Sequence, residues 1–89
     1  MSETPETLIE FPTPFAVKIM GRNEPTFADH ARGLVTQHTP GEAPLREESR
    51  VSKNERFLSV TVEITATSRD QLDAIYQTLT DDERVLMAL

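Results

Sequence analysis

The most regular stretch of the chain is FLSVTVEITA, residues 57–66. Leu58, Val60, Val62, Ile64 and Ala66 alternate with Phe57, Ser59, Thr61, Glu63 and Thr65. A period of two with this many β-branched residues predicts a strand at the centre of a sheet, with the first set buried and the second facing out. A second alternating run sets Phe15, Val17 and Ile19 against Ala16, Lys18 and Met20, and closes at Gly21. EFPTPF precedes it. A residue before proline is held extended, and Pro12 and Pro14 lack the N–H that a sheet ladder uses. The segment is therefore expected to be a stiff lead-in fixed by Phe11 and Phe15, with the strand starting at Phe15.

Phe27, Ala31, Leu34, Val35 and His38 follow helical spacing. Asn23 is the expected N-cap, Pro25 falls in the first turn, and Pro40-Gly41 stops the helix, which places His38 in its last turn. The second helix opens on Ser68 with Gln71 three residues on, a capping box, and Asp70 beside the positive helix end. Leu72, Ile75, Tyr76 and Leu79 form its apolar stripe, and TDDE ends it. Leu45 to Val51 is charged and weakly patterned, as suits an edge strand. SKNE then turns the chain, with Asn54 expected in the left-handed conformation. RVLMAL reads as a last short strand, and its pattern leaves two parities open: Leu86 and Ala88 outward, or Val85, Met87 and Leu89 outward.

The order β-α-β-β-α-β predicts an α+β, ferredoxin-like sandwich. Its antiparallel sheet has the order 4-1-3-2 and carries both helices on one face. At 89 residues there is room for one such domain, over 10–89, behind a flexible acidic tail at 1–9.

Composition narrows the function. The net charge of −6 repels nucleic acid and anionic membrane surfaces, so neither is expected as a partner. No stretch approaches the ~20 apolar residues of a membrane span. With no cysteine, disulfides and thiolate metal sites are excluded, and an unstapled small domain fits the cytoplasm.

No catalytic or metal-binding machinery is visible, and no cofactor is expected. His30 and His38 are the two histidines; eight residues on a helix set them ~12 Å apart along its axis, too far for one metal. The expected places are His30 on a helix face against the sheet and His38 exposed near the helix end. Ser59, Thr61 and Thr65 have no histidine placed to serve as base. Glu47/Glu48 and Asp81/Asp82 are sequence neighbours whose side chains diverge. The outward face lacks the paired aromatics of RNA-recognition modules, offering Phe57 alone and placing Glu63 against phosphate. The loop after the first strand, Gly21, Arg22 and Asn23, is the candidate ligand loop: it leads into a helix N-terminus, where backbone N–H groups and Arg22 suit a small anion. The plainer role of the same residues is a turn and a cap.

EFPTPFAVKIMG at the first strand, SVTVEITATS at the third, QLDAIYQTL on the second helix and the ending VLMAL together resemble the YbeD-like family of small bacterial proteins, over about Glu10 to Leu89. Members commonly carry a Ser-Lys-Gly hairpin turn, where this chain has the longer SKNER. The resemblance implies a fold like the ACT regulatory domains and a role in regulating lipoate metabolism, and it brings no catalytic residue. It also draws attention to Met20–Asn23, the stretch at which ACT domains often place a small ligand.

The residues thus point to a cytoplasmic, non-enzymatic regulatory module, a monomer or weak homodimer, that binds another protein. Its candidate interaction face is Lys18, Met20, Phe57 and Thr61, joined by Leu86 or Ala88 of the last strand. The alternative is a sensor of an amino acid or carboxylate at Gly21–Asn23.

Overall fold

A computed structural model describes residues 9–89; the acidic tail expected at 1–9 lies outside the described residues except for Ile9, which is exposed. The elements follow the order β1 (Thr13–Arg22), α1 (Phe27–Thr36), β2 (Arg46–Val51), β3 (Phe57–Ala66), α2 (Arg69–Asp81) and β4 (Val85–Ala88). The sheet is antiparallel, in the spatial order β2-β3-β1-β4, which is the expected ferredoxin-like arrangement.

β3 is the backbone of the sheet, and its buried set is the one its alternation predicts. Opposite it on β1, Val17 faces Val62 and Ile19 faces Val60. Phe27, Ala31 and Val35 of α1 and Leu72, Ile75 and Leu79 of α2 close over these side chains in a single core. Burying a side chain of this size stabilises by about 1.5–3 kcal/mol, so the helical stripes hold both helices on this one face.

β1 begins at Thr13, two residues before the expected Phe15, and so includes Pro14. The reason lies in hydrogen-bond parity. Lys18 exchanges both backbone bonds with Leu89 on the β4 side, 3.1 and 2.8 Å. Backbone groups alternate sides along a strand, so Pro14, four residues away, directs its nitrogen to that same side, beyond the end of β4. The backbone groups of its neighbours Thr13 and Phe15 point to β3 instead, so the ladder to that strand stays intact, with Pro14 opposite Thr65.

Helix α1 starts later than expected. Its N-cap is Thr26, not Asn23, and Pro25 precedes the helix. Asn23 is drawn the other way: its N–H donates to Arg56 O at 2.8 Å and its Nδ2 to Glu55 O at 3.0 Å, tying the end of β1 to the β2–β3 hairpin. The helix also stops at Thr36, so His38 lies in the following turn rather than in the last helical turn. There it is half-buried, and Nε2 is hydrogen-bonded to Thr78 Oγ1 at 2.7 Å. His30 packs toward the end of α2 and donates from Nε2 to Asp82 Oδ2 at 2.8 Å. Asp82 Oδ1 in turn accepts from the Arg84 N–H at 2.9 Å, so this carboxylate caps the turn into β4 while holding α1.

The capping box of α2 forms with an extension. Ser68 Oγ accepts from the Gln71 N–H at 3.0 Å. Gln71 Oε1 reaches one residue beyond the cap to accept from the Thr67 N–H at 2.8 Å, and its Nε2 donates to His38 O at 3.0 Å. One side chain thereby fixes the start of α2 to the turn that ends α1.

The hairpin between β2 and β3 corrects a second expectation. Glu55, not Asn54, takes the left-handed conformation, with φ of 62°. Asn54 acts through its side chain instead: Oδ1 accepts from Ser52 Oγ at 2.8 Å and from the Arg56 N–H at 3.1 Å. An Asx-type turn of this kind fixes the chain direction from the residue before the left-handed position.

The last strand follows neither expected parity. Met20 stands opposite Met87 but Gly21 stands opposite Val85, so Leu86 is an extra residue, a β-bulge. Val85 and Ala88 pack against the core, while Leu86, Met87 and Leu89 are 53, 50 and 62% exposed. Ala88 is therefore not part of the outer face; its partner Ile19 points inward, and Ala88 follows it.

Candidate functional site

The face of the sheet opposite the helices carries the residues that alternate away from the core. Lys18 is paired with Thr61, Met20 with Ser59 and Arg22 with Phe57. From β2, Glu48 lies beside Thr61 and Arg50 beside Ser59. All four residues expected on an interaction face, Lys18, Met20, Phe57 and Thr61, line one shallow depression of about 320 Å³. Ser59 and the stretch from Glu48 to Ser52 complete it. Sequence patterning missed the β2 members because every residue of that strand is exposed and no apolar period marks its faces. The register to β3 is what assigns them.

The charges of the depression are unequally engaged. Arg46 holds Glu48 at 2.8 Å and Glu63 at 3.4 Å, so the acidic side chains of this face are already paired. Among the described residues, Lys18 and Arg50 have no carboxylate within ion-pair distance. Glu47 and Glu48 do diverge: Glu47 turns to the helical side and meets Arg32 at 3.3 Å. That pairing holds the Arg32 guanidinium above its ordinary pKa, through the hydrogen bond to Glu47 first.

Gly21, Arg22 and Asn23 are not a free loop. Gly21 and Arg22 belong to β1, and Gly21 is buried. A Cβ at Gly21 would run into the Phe27 ring and come within 2.8 Å of Arg84 O, so glycine is needed here for close packing. The N–H and side-chain amide of Asn23 are used on the hairpin, as described above. At the helix N-terminus itself, Arg84 Nη2 donates to Thr26 Oγ1 at 2.9 Å and to Glu24 Oε1 at 3.1 Å, and its guanidinium lies over Phe27, 5.8 Å from the ring centre. Arg22 is exposed and borders an open hollow with Glu24, Glu55 and Arg56. Gly21 thus serves packing and Asn23 hairpin anchoring, while an arginine and a glutamate of the chain occupy the mouth of the helix.

Among the described residues, no three His, Asp or Glu side chains gather as a metal site, and no helix is long and apolar enough to cross a membrane. His30 and His38 are bound to Asp82 and Thr78 and do not face each other.

A ferredoxin-like α+β domain with both helices on one face of its sheet is the class that the fold defines. Within that class, the family model described as "Protein of unknown function (DUF493)" matches residues 6–89, and the chain belongs to this family. It is 42% identical over 86 residues to a UPF0250 protein of Nitrosomonas europaea, covering 97% of this chain and 99% of that one. A UPF0250 protein of Chromobacterium violaceum is 42% identical over 89 residues, covering both chains fully. Among solved structures, protein HP0495 from H. pylori matches with a TM-score of 0.71 at 18% identity, over 100% of this chain and 98% of that one. The C-terminal domain of the MgtC protein from Mycobacterium tuberculosis matches with a TM-score of 0.66 at 13% identity, over 92% and 89%. At such identities these two likenesses concern the fold alone.

Proposed function

We propose that this protein is a small cytoplasmic regulatory module that acts by docking another protein on the open face of its sheet, without catalysis of its own. The observation that carries this reading is the convergence of Lys18, Met20, Phe57 and Thr61 around one depression. The face combines an aromatic ring, a thioether, a cation with no carboxylate partner among the described residues and hydroxyl donors, the mixture suited to a modest protein contact. The exposed Leu86, Met87 and Leu89 of the edge strand add apolar surface at its border.

The lipoate link implied by the family resemblance names the first partners to try, proteins that attach or carry lipoate. Affinity capture with each of them, using the wild-type chain, Lys18→Glu and Phe57→Ala, tests the reading. Capture is expected to be lost in both variants while their melting curves stay close to wild type. Undiminished capture by both would remove this face from the function.

A further inference from the structure

We infer that the segment received by this face is acidic: a short extended stretch with two carboxylates about four residues apart and an apolar side chain between them. This rests on the docking reading above and names the chemistry of its partner.

Three observations carry it. First, Lys18 and Arg50 are placed diagonally across three strands, since Lys18 stands opposite Thr61 on β3 while Arg50 stands opposite Ser59, two residues along. Two inter-strand steps and a two-residue offset put their Cα atoms ~12 Å apart. An extended chain covers that distance in about four residues at ~3.3 Å each, with residues i, i+2 and i+4 on one side. Second, the ground between the two cations holds the hydroxyls of Ser59 and Thr61, and the apolar surface of Met20 and Phe57 borders it along the same depression. Glu48 also lines it, but Arg46 holds that carboxylate at 2.8 Å.

Third, charge is segregated in the molecule. The open face and the hairpin beside it carry Lys18, Arg22, Arg46, Arg50, Lys53 and Arg56 against Glu48, Glu55 and Glu63, whereas α1, α2 and the turn after α2 carry Asp29, Asp70, Asp73, Asp81, Asp82 and Glu83 against Arg32, Arg69 and Arg84. A chain of net charge −6 thus presents six of its nine Lys and Arg residues on one side, which orients an acidic partner toward this face and turns the helical face away from it. A nucleic acid would set an unbroken row of phosphates against Glu48 and Glu63 and bring its charge to a chain already negative. Two separated carboxylates avoid the first penalty and, with two charges instead of a row, reduce the second.

The test is an amide NMR titration of the full chain with acetyl-Ser-Glu-Ser-Leu-Ser-Glu-Ser-amide. Shifts are expected around Lys18, Met20, Arg50, Phe57, Ser59 and Thr61. Affinity should fall about tenfold when both peptide glutamates become glutamine, when Lys18→Glu and Arg50→Glu are combined, or when salt is raised well past the screening range. Equal shifts from the glutamine peptide, no shift at millimolar peptide, or preference for oligouridylate would overturn the inference. Shifts of the same amides on simple dilution would assign the face to a second copy. Movement of the Glu3 and Glu6 amides in the Lys18→Glu/Arg50→Glu chain, with no peptide present, would assign it to the chain's own acidic end. Either result also overturns the inference.

Partner capture separates the two levels. Capture lost in Phe57→Ala but kept in Lys18→Glu/Arg50→Glu overturns the acidic partner and leaves the docking face standing. Capture kept in all variants ends both.

Discussion

The ring of Phe27 fills the space in which a side chain at Gly21 would stand. β1 and the first residue of α1 approach each other through that missing Cβ, and the Arg84 guanidinium lies over the ring, 5.8 Å from its centre. Gly21→Ala should therefore destabilise by about 1–3 kcal/mol, as overpacking of a close-packed core does. Urea unfolding would measure it. The smaller ring-free partner in Gly21→Ala/Phe27→Leu should recover part of the loss, so the two changes together cost less than their sum.

Tyr76 gives the fold a dependence on alkaline pH. Its hydroxyl donates to Leu89 O at 2.8 Å, and burial raises its pKa above the ordinary phenol value of 10.0. The folded state then keeps the proton at pH values where the unfolded chain has released it. Stability from this group is full below the unfolded pKa and falls as pH rises past about 10 toward the folded value. Tyr76→Phe should lose about 1 kcal/mol at neutral pH with the hydrogen bond and flatten the alkaline decline relative to wild type. Denaturant midpoints at neutral pH and above 10 would check both.

The start of α2 depends on two side chains with separable effects. Ser68→Ala removes one cap bond and should cost about 1 kcal/mol. Gln71→Ala also frees the Thr67 N–H and His38 O, so it should loosen the turn after α1 as well. Amide exchange would then rise at residues 36–39 in Gln71→Ala but not in Ser68→Ala.

The bulge at Leu86 makes a sharp forecast for β4. Met87→Asp, on the exposed side, should stay within about 0.5 kcal/mol of wild type. Ala88→Asp and Val85→Asp direct a carboxylate toward the core and should each cost at least about 2 kcal/mol. Thermal melts of the three variants decide it; equal effects would mean that β4 has no fixed facing.

Where a strand is long and half-buried, its facing is legible from the residues alone. β3 alternates over ten positions, and β1 pairs with it across its whole length, so Lys18, Met20, Phe57 and Thr61 could be placed on one face before any coordinates. β4 has four residues and one irregular position, too few for a period to register and enough for a bulge to reverse it. β2 shows no facing because polarity is uniform along it, and its sequence therefore does not reveal Arg50. Turn residues were misread when two roles competed for one residue type. Asn23 suits an N-cap, but the hairpin offers two carbonyl acceptors, Glu55 O and Arg56 O, for its side-chain and backbone N–H donors, and tertiary contact prevails. Gly21 looked like a turn because glycine usually is one; its actual reason is a neighbour 6 residues along the chain, in α1.

Pro14 defines where this sheet may not grow. Alongside β1, the positions past Lys18 on the β4 side offer one amide donor at Ala16 and then a residue that has none. A foreign strand seeking to prolong that edge would find a ladder with a missing rung at its second step. The proline thus works as a border guard against misassembly at one corner, leaving the other edge to be protected by the charges of β2.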